Sequence, residues 1–365
     1  MSSRTWSRGV GWLAGFLVVG LGGQVLNRES QFTIQDLTPA VFAQQPEAKK
    51  PGTSLRSDAV VTSLTLFAGT VEGLWRSPDW GVTWTRVVGP SPGDTLESLG
   101  TAHALMPAGS QVWVAGDGGL FFSEDFGVSW KRLYGDAAAL CLMPSRYPQS
   151  DPTMFLGTAS GLLRSEDAGM TFKPILTDAA VSRLEWPGPA LVAATGRGVL
   201  ISEDGGRVFR DRGLGLPEGE VTAVAVSSFF AVDPVLFAGG AFGVYRSPDA
   251  GRTWKATGLT GKTIFDLVWL GPFLYATGDG GVFRSDDAGQ TWTTLSTGLG
   301  PRRGRRLMFP LAPAAGLEAF VGTDDGIYRT TDGGQRWQGA GLEGRAILSL
   351  ATFPPPQPSH GKRKK

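Results

Sequence analysis

The sequence predicts an all-β fold, a seven-bladed β-propeller of four-stranded antiparallel blades. Three observations carry this. First, a glycine and an apolar pair ahead of Ser-x-Asp-x-Gly-x-Thr-Trp recur seven times. The copies are Ser77–Trp84, Ser123–Trp130, Ser165–Phe172, Ser202–Phe209, Ser247–Trp254, Ser285–Trp292 and Thr330–Trp337. Second, their aspartates, Asp79, Asp125, Asp167, Asp204, Asp249, Asp287 and Asp332, stand 37 to 46 residues apart, the period of stacked supersecondary units such as propeller blades. Third, 53 glycines and no long amphipathic helical pattern suit short strands joined by tight turns.

One period shows how a blade is written. Val221–Val226 is a small apolar strand, and Phe229 to Pro234 is a turn region. Val235–Ala238 is a second strand, Gly239–Gly243 a glycine turn and Val244–Arg246 a third strand. Ser247–Gly251 turns again into a fourth strand, Thr253–Ala256. Four short antiparallel strands per period make a propeller blade. The first strand is small and apolar in most copies (Ala179–Leu184, Val221–Val226, Ile264–Val268), which suits a crowded inner ring. The fourth is more polar (Lys131, Arg132, Lys255, Thr293, Thr294, Gln338), which suits an exposed edge that must not pair with another chain.

The recurring motif is the hairpin between the third and fourth strands. A turn aspartate accepts backbone N–H groups a few residues on. The glycine supplies a conformation that other residues resist, hydroxyl residues add local backbone bonds, and the closing aromatic is large enough to wedge between blades. Only the Asp and the Gly are common to all seven copies. Blade 4 has Val208 and blade 7 has Arg336 where the others carry Thr or Ser. The seven aspartates therefore read as structural turn locks.

This motif resembles the Asp-box, or BNR, repeat of sialidases, sortilin-type receptor domains, some glucanases and the photosystem II assembly-factor propellers, the last most of all. The resemblance covers residues 58–353. It implies that the motif hairpins lie away from the functional face. That face then holds the blade-to-blade loops and the turns between second and third strands.

The ends of the repeat run suggest how the ring closes. Arg345–Thr352 is an inner-strand sequence with no repeat after it, while Ala59–Ala68 leaves no room for an inner strand of its own. The C-terminal strand is expected to complete blade 1. Ahead of the propeller, Arg4 and Arg8 precede an uncharged run, Val10 to Leu26, which reads as an export signal or a membrane anchor. The chain thus divides into residues 1–26 (signal or anchor), 27–57 (polar linker), 58–353 (propeller) and 354–365 (disordered Pro-rich basic tail). The expected location is extracytoplasmic: periplasmic or secreted, or tethered by residues 10–26.

Composition removes several function classes. With 34 basic and 33 acidic residues there is no global field to attract nucleic acid. Membrane contact is expected only through the N-terminal segment. The single cysteine, Cys141, sits in an apolar run and reads as a small core residue. His360 lies in the tail, so His103 is alone in the folded part. Metal sites need three or four clustered ligands, so no metal and no cofactor are expected.

Candidate binding residues are those the repeats do not share. The loop Gly300–Arg306 carries Arg302, Arg303, Arg305 and Arg306, four arginines in five residues, a chemistry that clamps carboxylate, phosphate or an acidic protein patch. The plainer reading is a solvated loop balanced by nearby acids. The resemblance adds a precedent, since photosystem assembly factors bind their client on an arginine-rich face. The turns expected on that face add Glu72, Asp117, Arg197, Asp279, Asp324 and Asp325.

No residue is assigned as catalytic. Sialidases need three arginines around a carboxylate and a tyrosine paired with glutamate. Here Arg76, Arg164, Arg246, Arg284 and Arg329 belong to the repeat, as do Tyr245 and Tyr328. Asp-box glucanases place their acids between two propellers, and this chain has one. Asp279 with Asp324 or Asp325 would be a carboxylate pair for glycoside hydrolysis, but nothing in the spacing selects them. Of twelve tryptophans, five close motifs and two lie in the signal segment. Packing accounts for most of Trp75, Trp80, Trp113, Trp186 and Trp269. The expectation is a binding or scaffold propeller for a protein partner, of assembly- or stability-factor type for a membrane complex. The alternative is a carbohydrate-binding or glycoside-hydrolysing propeller.

Overall fold

A computed structural model describes residues 65–88, 99–108, 110–145, 150–186, 190–227, 230, 232–310 and 318–353. The signal or anchor, the linker, residues 58–64 and the tail lie outside the described residues. The described residues form seven four-stranded antiparallel sheets in a ring and contain no helix. Blade 2 runs outward from Ala102–Ala108 through Gln111–Gly116 and Gly119–Ser123 to Lys131–Tyr134. The inner strands of blades 3 to 7 are Ala139–Pro144, Val181–Glu185, Val221–Val226, Ile264–Leu270 and Gly304–Met308.

Blade 1 is assembled from both ends of the repeat run. Thr65–Thr70, Gly73–Ser77 and Thr85–Arg86 are its outer three strands, and the chain's last strand, Ile347–Phe353, is its innermost. Phe67 pairs with Ala351 and Leu66 with Thr352. The closing strand lies between the inner strands of blades 7 and 2, which completes the ring. This is the closure the sequence predicts.

The core is not one mass but seven layers, one between each pair of blades. Side chains alternate across a strand, so Phe67 packs toward blade 2 against Val112 and Phe121, while Leu66 and Ala68 pack toward blade 7 against Phe320 and Ile327. Second and third strands are buried on both faces, and for that reason read as continuous apolar runs. Each fully buried Phe or Leu contributes roughly 1.5–3 kcal/mol.

The motif hairpins have the same internal wiring. In blade 1 the Ser77 hydroxyl donates to Asp79 Oδ1 (2.8 Å) and accepts the Gly81 N–H (2.8 Å). The Thr83 N–H donates to Asp79 Oδ1 (2.8 Å) and its hydroxyl to Oδ2 (2.6 Å). The hydroxyls of Thr83, Thr171 and Thr291, followed by the same residues' N–H groups, hold Asp79, Asp167 and Asp287 below the usual carboxylate range. Asp204 and Asp332 bind only the N–H of Val208 and Arg336 at that position (3.0 Å each), since those side chains have no hydroxyl to offer. The residue before the invariant glycine is also left-handed: Trp80, Phe126, Ala168, Gly205, Ala250, Ala288 and Gly333 have φ between 54° and 74°. Three closing tryptophans wedge between blades and hydrogen-bond the preceding blade: Trp84 to the Ala340 carbonyl (2.8 Å), Trp254 to Arg212 (2.5 Å) and Trp337 to Leu295 (2.7 Å).

Candidate functional site

Strand direction sorts the loops onto two faces. Within each blade neighbouring strands are antiparallel, so each inner strand runs from the face of the blade-to-blade connections to the face of the motif hairpins. The turns between second and third strands return to the connection face. Glu72, Asp117, Arg197, Asp279, Asp324 and Asp325 all lie on such turns, and Arg302 and Arg303 lie on the connection into blade 7. The seven motif aspartates lie on the opposite face.

On the connection face the acids are engaged. Asp117 accepts the Thr101 N–H (2.9 Å) and pairs with His103 Nε2 (2.8 Å). Partial desolvation at this exposed turn raises its pKa, but the hydrogen bonds of Thr101 and His103 outweigh that and hold it below the usual range. Asp279 accepts the Thr263 N–H (3.2 Å), and Asp324 accepts the Arg303 N–H (3.1 Å). Each of these aspartates ties a turn to the connection entering its own blade. Asp325 accepts the Gly344 N–H (2.7 Å) and pairs with Arg302 (2.7 Å); the Gly344 bond first, then Arg302, lowers its pKa. Arg303 pairs with Asp279 (3.1 Å), and Arg345 with Glu72 (3.0 Å). Blades 6, 7 and 1 therefore carry an arc of three ion pairs. Arg197 stands apart on blade 4, in a cleft with Asp211 and Leu216.

The four clustered arginines do not form one patch. Arg302 stacks over Tyr328 and Arg305 over Phe265, at 5.1 and 5.2 Å from the ring centroids. Arg303 is exposed on the rim. Arg306 turns into the central channel, where its Nε donates to the Leu348 carbonyl (2.8 Å) and its NH1 reaches Asp266 (3.4 Å). The alternation of a strand separates Arg305 from Arg306, because both lie on Gly304–Met308.

The channel holds residues that the sequence reasoning did not single out. Asp266, only 5% exposed, lies between Arg306 and Arg183, and both guanidiniums pair with it. It also accepts the N–H groups of Leu267 and Leu307 (3.1 Å each). Two residues along the strand from Arg183 stands Glu185. Burial pushes its pKa up to about 7, opposed by Arg183 and assisted by Asp266. These groups line a cavity of about 460 Å³ whose walls include Trp186 and Trp269. Both tryptophans also pack edge-on, against Phe155 and Phe237, and are partly buried against the core layers beside them. Cys141 lies at the same level, 5% exposed, its thiol pushed up to about 12 by burial. Among the described residues no group of three His, Cys, Asp or Glu side chains is placed to hold a metal.

A signal for the channel residues was present in the chain. Six of the inner strands pair with their neighbour through a bulge near the start, and the closing strand shifts register at the same level. Aligned on it, the seven strands place Ser349, Ala104, Cys141, Arg183, Ala223, Asp266 and Arg306 at one level. Four are small; the three charged ones break the pattern.

No family model matches the chain, and no curated protein matches it. Solved structures do. An extracellular domain assigned to a one-component system of B. thetaiotaomicron aligns with TM-score 0.54 and 13% identity over 68% of this chain and 35% of its own. An ancestral GH74 enzyme aligns with TM-score 0.51 and 18% identity over 69% of this chain and 38% of its own. The WD40 domain of Neurospora crassa Pan2 gives TM-score 0.51 and 11% identity, covering 71% of this chain and 85% of that domain. The chain thus spans little more than a third of the first two. At these identities the likeness is one of fold.

Proposed function

We propose that this chain is a non-catalytic binding propeller of the BNR/Asp-box repeat type, working outside the cytoplasm and holding a protein partner on its connection face. The carrying observation is the state of the acids there. A general acid must hold a proton near neutral pH, yet Asp117 and Asp325 are held below the ordinary carboxylate range. Asp279 is occupied by the Arg303 guanidinium and the Thr263 N–H, and Asp324 accepts the Arg303 backbone N–H. What the face offers instead is an arc of half-exposed ion pairs. Such pairs contribute little to stability, so a partner's charges exchange with them at small cost and gain register and specificity. An assembly or stability factor for a membrane complex is the use that accords with the N-terminal export or anchor segment. An extracellular domain among the structural neighbours accords with the location.

A glycan-directed reading has one observation in its favour, the pair of tryptophans on the channel wall. Affinity capture by the full chain from its own cell envelope, run beside a glycan panel, separates the two. Retention of one protein partner, lost in the double variant Arg302→Ser, Arg303→Ser, supports the scaffold reading. Glycan binding or turnover that disappears in Asp279→Asn or Asp324→Asn overturns it.

A further inference from the structure

The charged level of the channel is more than a plug. Four blades fill this level with Ser349, Ala104, Cys141 or Ala223, so the ring closes there without charge. Blades 4, 6 and 7 instead contribute Arg183, Asp266 and Arg306. Arg183 reaches past Ala223 of blade 5 to meet Asp266, and Arg306 meets the same carboxylate from blade 7. Two guanidiniums thus share one anion, and that anion is already committed to two backbone N–H groups.

The guanidiniums are not saturated. Each carries five N–H donors. Arg183 uses its donors on Asp266 alone, and Arg306 on Asp266 and the Leu348 carbonyl; the remainder have no protein acceptor among the described residues. The two side chains stay 21% and 18% exposed, and both line the cavity. Glu185 does not restore the balance. It accepts no hydrogen bond among the described residues, and at neutral pH burial leaves it only partly ionised. The unused guanidinium donors of Arg183 and Arg306 therefore face a half-enclosed space, where charge is poorly screened.

The remainder of the wall is mixed, with His103, Glu185 and Ser227 standing among apolar side chains. From the charged level toward the motif face the lining includes Leu105, Met143, Trp186, Val268, Trp269 and Leu350. A cavity of about 460 Å³ has the size of a small-ligand site. A bare inorganic anion would satisfy the arginines and leave these walls wet. A molecule with an anionic head and a flat, ring-like body satisfies both.

We propose that the central channel is a binding site for a small organic carboxylate, its head group on Arg183 and Arg306 and its body between Trp186 and Trp269. The ligand enters from the motif face, because the lining residues run from the charged level to the far ends of the inner strands. The site is separate from the connection-face arc, and neither assignment rests on the other.

The test is a fragment screen on the full chain, by ligand-observed NMR, with a library of matched pairs. Each small ring-bearing carboxylate is accompanied by its primary amide, and inorganic phosphate is included alone. The expected result is saturable binding of carboxylate members, with their amides weaker by roughly tenfold or more, the loss of one charge-assisted contact. Binding should fall away in Arg183→Gln and in Trp269→Ala, and persist in Arg303→Ser. No binding by any carboxylate overturns the proposal. So does equal binding of the amides, or phosphate binding that matches the carboxylates and ignores Trp269→Ala. The matched-pair comparison needs wild-type protein only, so a variant that fails to fold does not spoil it.

Discussion

Replacing Glu185 by Gln should remove a pH dependence that the channel builds into the fold. Burial raises this carboxyl from 4.5 to about 7 in the folded protein, Arg183 opposing and Asp266 adding to the rise. In the unfolded chain it returns to its ordinary value. Between pH 4.5 and 7 the folded state therefore holds a proton that the unfolded state has released. Stability from this group is fully present below pH 4.5 and is lost as pH rises through 7. At about 1.4 kcal/mol per pKa unit, the full effect is about 3 kcal/mol. Urea denaturation of wild-type and Glu185→Gln protein across that window measures it. The stability difference, variant minus wild type, should climb with pH by up to about 3 kcal/mol and then level off. Other titrating groups cancel in the difference. Parallel pH curves for the two proteins would refute the reasoning, and with it the assignment of Glu185 to a desolvated cavity.

Three further outcomes follow from the fold. Ending the chain at Gly344 removes the inner strand of blade 1, including the buried Ile347, Ser349 and Ala351; cooperative melting should disappear, and a truncated protein that melts like the full chain contradicts closure by the C-terminal strand. Gly205 has φ 71°, and a methyl group added to it would meet no atom within 4 Å, so Gly205→Ala should cost roughly 1–2 kcal/mol from backbone conformation alone, and a neutral result in denaturant would show that the hairpin relaxes. Val208 is 55% exposed and stands where other hairpins place a hydroxyl on the aspartate; Val208→Thr should raise Tm and extend protection of blade 4 against acid, because the Asp204 carboxylate gains an acceptor bond that is lost only on protonation. An unchanged acid midpoint would count against that wiring.

The architecture was legible because it is written seven times. The motif marks each third-to-fourth hairpin, and the lack of room in the sequence Ala59–Ala68 for an inner strand pointed to the C-terminal strand, Ile347–Phe353, as the one that completes blade 1. Strand bounds moved by a few residues: Val221–Val226 agrees throughout, whereas the strand expected at Ala179–Leu184 is Val181–Glu185 and that at Thr253–Ala256 is Lys255–Thr260. The double left-handed step at Trp80–Gly81 and its equivalents was not legible, since alanine or an aromatic at the first position gives no hint of positive φ. The site was legible only in part. Proximity in sequence made Arg302 to Arg306 look like one patch, but a pleated strand sends Arg305 onto Phe265 and Arg306 into the channel. Arg183 and Asp266 are 83 residues apart and meet across the lumen, a contact that ring closure creates and local spacing cannot show.

The central claim is that the shared residues make the ring and the unshared ones do its work. It is tested most directly by partner capture per folded molecule, compared between Arg303→Ser and Asp125→Asn in the full chain. Arg303 is 56% exposed in a surface ion pair, so its loss should leave Tm nearly unchanged while capture falls. Asp125 ties Ser123, Val128 and Ser129 into one hairpin, so its variant should melt earlier and capture normally once folded. Capture that follows Asp125 and ignores Arg303 would place the function in the repeats and contradict the account.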